Sequence, residues 1–151
     1  MIGSVRFSIL EDCYTIAKNI REDDRREILA VSGGDPLDAL VQGFMFSDKP
    51  RTVLAGNTAC AMFGSGQVEP NVGAVWLLGT DGINDVSRQF LRESKKWLDE
   101  MYENYDLLFN YVDERNTVHI KWLQWLGFDF IKRHEQFGVG KLPFFEFVRI
   151  K

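Results

Sequence analysis

From Val72 to Leu78 the chain reads Val-Gly-Ala-Val-Trp-Leu-Leu, with no charged side chain. A strand with one wet face alternates polar and apolar residues, and a run that does not alternate is covered on both faces. This segment is therefore expected to be a central strand of a sheet with packed layers above and below it. The helical pattern over residues 85–104 follows, with Val86, Phe90, Trp97, Leu98, Met101 and Tyr105 on one face and Asp85 as the expected N-cap.

The rest of the chain supplies partners for that strand. Val5 to Ile9 alternates as a first strand. Cys13, Ile16, Ala17 and Ile20 fall at helical spacing after Glu11-Asp12, and the charged run Arg21 to Glu27 reads as a solvated helical face or a turn. Pro36 suits the first turn of a second helix carrying Leu37, Leu40, Val41 and Phe44. Thr52–Ala55 and Thr58–Phe63 flank the tight-turn pair Gly56-Asn57, and Gly64-Ser65-Gly66 is expected to end the second of them. Leu107–Val112 predicts a strand. Asn116 or Thr117 caps a helix bearing Ile120, Leu123 and Leu126, which Gly127 stops. Phe128–Ile131 and Phe144–Ile150 are the last strands, joined by a loop over 137–143. The expected fold class is α/β with a mixed sheet, in the order β-α-α-β-β-β-α-β-α-β-β, forming a single domain over residues 1–151.

Composition narrows the function. The 151 residues include 22 acids and 18 bases, a net charge of −4, which argues against a nucleic-acid partner. No apolar run reaches the roughly 18 residues of a membrane span, and no secretory signal is visible, so no membrane association is expected. Charge is polarised: residues 115–151 hold 3 of the acids and 7 of the bases, a surface suited to docking a charged partner. Cys13 and Cys60 read as reduced buried thiols, and with His119 and His134 the only histidines no metal site is expected.

The element order resembles the GNAT N-acetyltransferase fold, and Leu107 through Phe128 is similar to that family's strand, Asn, helix and Gly-Phe segment. The resemblance implies a mixed sheet in which two adjacent parallel strands, here ending near Gly79 and beginning near Leu107, splay into a V that accepts acyl-coenzyme A. It makes acetyl-CoA a possible cofactor. Its implied cofactor-binding residues are Leu78, Gly79, Thr80, Gly82, Asn84, Asn110 and Asn116. A narrower likeness covers residues 74–150. Val75-Trp76-Leu77-Leu78, Tyr105-Asp106, Asn110-Tyr111-Val112, Asn116 to Leu123 and Gly127 are similar to the small internal virion proteins of short-tailed, self-transcribing phages. That family is associated with virion assembly. The likeness implies phage virion or host proteins as partners, and a location in the host cytoplasm during infection or in the virion.

The residues fit the enzymatic reading poorly. Backbone N–H groups at a helix start attract a diphosphate, yet Gly79-Thr-Asp-Gly-Ile-Asn-Asp85 carries Asp81 and Asp85 and lacks the family's basic residue and regular glycine spacing. One like-charge pair at 5 Å costs about 3 kcal/mol at an effective dielectric of 20. The loop reads either as an ordinary strand-to-helix connection or as a residual phosphate site. Where GNAT enzymes often place a Tyr acid stands Leu123, and Val72–Gly79 offers no base. Glu69, Tyr111 and His119 are the candidate catalytic residues. His119 could titrate near neutrality, or could hydrogen-bond Asn110 or a backbone carbonyl in a structural role. Trp122 and Trp125 lie on different helix faces, so at least one is expected to be partly exposed as a partner-binding anchor. The leading expectation is a phage GNAT-like protein acting by protein contacts with a degenerate acetyl-CoA site. The alternative is a divergent acetyl-CoA-dependent N-acetyltransferase acting on a host or phage amine.

Overall fold

The structure is a computed structural model and describes residues 2–151. The elements in chain order are β1 (Gly3–Phe7), α1 (Leu10–Lys18), α2 (Glu22–Ser32), α3 (Pro36–Phe46), β2 (Arg51–Ala55), β3 (Thr58–Glu69) and β4 (Val72–Gly79). A 3-10 turn over Asp81–Asp85 leads to α4 (Ser87–Arg92) and α5 (Ser94–Met101). Then come β5 (Leu107–Asp113), α6 (Thr117–Trp125), β6 (Asp129–Phe137) and β7 (Leu142–Ile150). The strands form one sheet in the order β1-β2-β3-β4-β5-β7-β6. β4 and β5 are parallel, and the other neighbours are antiparallel.

Helices cover both faces of β4, as its unbroken apolar run requires. On one face Cys13, Ile16, Ile28 and Leu40 from α1–α3 pack with Met62 and Leu78. On the other, Phe63 meets Phe90, Trp97 and Trp122. Asp12 fixes the start of α1. Its carboxylate accepts the Ile9 N–H at 3.0 Å, the Thr52 hydroxyl at 2.7 Å and two Arg6 donors at 2.8 and 2.9 Å. Asp35 caps α3 by accepting the Asp38 N–H at 2.9 Å, with Pro36 in the first turn as expected.

Several local expectations change. The strand expected over Phe128–Ile131 is β6, running from Asp129 to Phe137, so the loop expected over 137–143 shortens to a turn before β7. The charged run is a third N-terminal helix, α2, and it buries Arg21 and Asp24 instead of presenting them to solvent. β3 runs through Gly64-Ser65-Gly66 to Glu69. These glycines leave room for the end of α3: a Cβ on Gly66 would lie 2.6 Å from the Phe46 carbonyl oxygen, and one on Gly64 2.7 Å from the Ser47 hydroxyl. Asp85 is not the cap of the long helix. Thr80 caps the 3-10 turn by accepting the Gly82 N–H at 3.1 Å, and α4 starts at Ser87. The long helix is also interrupted at Glu93, where the Ser94 hydroxyl donates to the Leu91 carbonyl at 2.6 Å and competes with the helical ladder.

Candidate functional site

β4 and β5 pair only at Val72/Leu107, Gly73/Leu108 and Ala74/Phe109, and then part. Two outer hydrogen bonds fix which main-chain groups face the opening. Thr80 N–H donates to the Cys60 carbonyl at 2.8 Å, and Lys151 N–H to the Asp106 carbonyl at 2.9 Å. Antiparallel pairing alternates, so Val75, Leu77 and Gly79 of β4, and Tyr111 and Asp113 of β5, aim their N–H and C=O into the split.

The chain answers most of these groups itself. At the vertex, Asn110 Nδ2 donates to the Val75 carbonyl at 2.7 Å and Asn110 Oδ1 accepts the Tyr111 N–H at 2.8 Å. At the mouth, Gly79 N–H donates to Asp24 Oδ2 at 3.0 Å and the Gly79 carbonyl accepts the Arg21 N–H at 2.8 Å. Arg21 Nη1 and Asn116 Nδ2 donate to Asp24 Oδ1 at 3.3 and 3.1 Å, and Arg21 Nη2 donates to Asn116 Oδ1 at 3.3 Å. Asp113 N–H donates to Glu27 Oε1 at 2.8 Å. The first turns of α2 thus clamp the two diverging strand ends. Among the described residues, only the Leu77 N–H and C=O and the Tyr111 C=O of this set find no partner in the chain.

Between vertex and clamp lies a cleft of about 500 Å³. Its wall is mainly apolar, with Phe63, Trp76, Trp122, Leu123 and Phe147, and its polar members include Glu27, Asn110, Tyr111 and His119. Burial pushes the Glu27 carboxyl up to about 8, with Asp24 and Asp113 adding to the shift. Burial, then the Arg21 charge, pulls His119 down to about 4. Both therefore hold mainly their neutral forms at neutral pH. Burial also raises Asp24, against the opposing pull of Arg21, and raises the Tyr111 phenol.

The sequence-derived residues fall into separate groups. Leu78, Asn110, Tyr111, His119, Trp122 and Leu123 line the cleft. Gly79 and Asn116 belong to the clamp. Asn116 sits at the N-cap of α6 without capping it, because its side chain is spent on Arg21 and Asp24. Thr80 and Gly82 bond each other, while Asn84, Asp81 and Asp85 are exposed. Glu69 is exposed at the β3–β4 hairpin, opposite the Gly79 end of β4, and does not line the cleft. His119 neither bonds Asn110 nor titrates near neutrality: its Nδ1 is buried without a partner. His134 Nε2 lies 2.8 Å from Glu146 across the β6–β7 pair. Trp125 is 66% exposed, whereas Trp122 is buried in the core and is not a surface anchor.

Arg21, Asp24 and Glu27 are the site residues that reading the run as solvated overlooks. Their signal is spacing: they recur every third residue, and the same stripe continues into the cleft-lining Ile28 and Val31. Asp24, Glu27 and His119 bring three ligand-type atoms within 4.8 Å of one another. Arg21 already holds the cationic place beside Asp24, and both Asp24 oxygens are engaged.

The diphosphate of an acyl-coenzyme A does not suit this mouth. Gly79 N–H is taken by a carboxylate, and the following loop exposes two more acids. Gly79 is needed for packing, since a Cβ there would lie 2.9 Å from the Cys60 carbonyl oxygen.

A mixed sheet split between parallel β4 and β5, with α6 following β5 after an Asn116 at its N-cap position, defines the GNAT fold. Solved structures agree. Ard1 from Thermoplasma volcanium superposes with a TM-score of 0.72 at 12% identity, over 99% of this chain and 98% of that one. The ribosomal-protein-S18-alanine N-acetyltransferase of Escherichia coli gives 0.68 at 13%, over 99% and 94%. yncA from Salmonella typhimurium, solved with its cofactor acetyl-CoA, gives 0.73 at 12%, over 99% and 94%. At the level of sequence, the model of the family described as "Bacteriophage T7, probable scaffold protein Gp13" matches residues 53–135, and the chain belongs to that family. No curated protein matches it by sequence.

Proposed function

We propose that this phage GNAT-fold protein is a virion-associated or morphogenesis protein that works by contacts with other proteins, on a scaffold whose acetyl-CoA site has degenerated. The observation that carries the reading is the clamp. Asp24 and the Arg21 N–H occupy the Gly79 groups at the mouth of the split. The exposed acids Asp81 and Asp85, the aliphatic Leu123, and membership of a family described as a scaffold protein support it. Trp125, largely exposed on α6, is the proposed partner-binding anchor.

Two measurements test this. Calorimetric titration with acetyl-CoA is expected to show no saturable heat at micromolar ligand. Trp125→Ala is expected to reduce incorporation into phage particles while leaving the thermal midpoint of the isolated protein in place. Micromolar acetyl-CoA binding would overturn the first half. Undiminished incorporation would remove Trp125 from the interface.

A second reading, an acetyl-CoA-dependent N-acetyltransferase modifying a host or phage amine, rests on the surviving split and cleft. It requires that Asp81→Gly tighten acetyl-CoA binding. Unchanged affinity would dissociate the loop from any phosphate site.

A further inference from the structure

The clamp and the Asn110 bridge leave the middle of the split unanswered. There, Leu77 offers one donor and one acceptor to the gap, and Tyr111 faces it with a second acceptor. A residue of an extended chain running antiparallel to β4 presents its own N–H and C=O to the same neighbour, so it satisfies both Leu77 groups at once. β5 is parallel to β4, so the same chain is antiparallel to Tyr111 as well. From Val75 to Gly79 β4 spans about 13 Å, enough for three or four extended residues. Charge matters as much as shape. Glu27 and His119 hold mainly their neutral forms at neutral pH, the walls are mainly aromatic and aliphatic, and Arg21 and Asp24 at the mouth are engaged with each other and with Asn116. Such a cleft complements a neutral occupant. A fatty acid would carry a carboxylate in and offer no donor to the Leu77 carbonyl, and an acyl-coenzyme A would bring its diphosphate to acids. Val31 and Phe46 line the cleft yet are 40% and 42% exposed, so they mark an entrance on the α2–α3 side.

We propose that the centre of the split docks one extended, uncharged segment of a partner protein, which inserts as a short strand between Leu77 and Tyr111. This deepens the protein-contact reading and rests on it. The mode is strand addition, in which main-chain hydrogen bonds supply affinity and side-chain pockets supply choice.

The test is amide NMR on the full chain with three probes: the blocked tripeptide acetyl-VAV-amide, sodium laurate and acetyl-CoA. The expected result is a saturable downfield shift and slowed exchange of the Leu77 amide with the peptide alone. Ala74→Phe, which fills the vertex side of the cleft, is expected to weaken that binding about tenfold or more. Val31→Glu at the entrance provides a second variant if Ala74→Phe does not fold. Laurate moving Leu77 while the peptide does not would overturn strand insertion. A peptide that leaves Leu77 unmoved, with no other probe binding, would also overturn it, while leaving a contact through Trp125 standing. Acetyl-CoA moving Leu77 and Gly79 at micromolar concentration would overturn both this proposal and the degenerate-site reading.

Discussion

Glu27 and His119 face the same cleft and respond to pH with opposite signs. The Glu27 carboxyl rises from an ordinary 4.5 to about 8 in the folded chain. Between those values the unfolded chain has released a proton that the folded chain keeps, so raising the pH favours unfolding. Its contribution is complete below 4.5 and is lost as pH climbs to about 8. His119 falls from 6.5 to about 4, so its contribution is complete above 6.5 and is lost as pH drops to about 4. Glu27→Gln keeps an acceptor for the Asp113 N–H and removes the titration. Because His119 offsets Glu27 below pH 6.5, thermal melts from pH 6.5 to 8 are expected to show the flatter profile for the variant and a higher midpoint than wild type at pH 8, by about 2–4 °C for each kcal/mol recovered. An unchanged slope would show that Glu27 is not the group responsible. These environments could not be read from residue identity. Glu27 stands in a run of charges that looks solvated, and only the docking of α2 against Asp113 desolvates it.

Among the elements, β3 shows how a strand and a helix constrain each other. Its glycines read as a stop signal because glycine is a poor strand residue. In the fold they mark where Phe46 and Ser47, at the end of α3, lie against the strand. Gly66→Ala is expected to cost about 1–3 kcal/mol, because its Cβ would press on the Phe46 backbone, which cannot rotate away. Urea unfolding measures this, and a loss below about 0.5 kcal/mol would show that α3 moves freely over the strand. The helix starts were more legible where the cap is local. Pro36 announces α3, which Asp35 then caps locally, whereas Asn116, an equally good cap by type, is drawn into contact with Arg21 and Asp24, 95 and 92 residues away.

At the scale of the whole molecule, β4 and β5 join two parts of one sheet through three residue pairs, the Asn110 bridge and the α2 clamp. We expect far-UV and near-UV circular dichroism to report one coincident thermal transition, as a single cooperative domain requires. Two separated transitions would show that the seam is too weak to couple the parts. The sequence by itself determined the order of the strands around β4, the mixed α/β class and the acidic loop after Gly79. Hydrophobic periodicity and turn residues act over a few neighbours and are written in consecutive positions. Only the tertiary structure decided that Arg21, Asp24 and Glu27 close the split, that Trp122 is buried and Trp125 exposed, and that Leu77 is left unpaired. Those outcomes depend on which distant groups meet when α2 docks over the parting strands, and desolvation and hydrogen bonding between residues far apart in the chain leave no periodic trace in it.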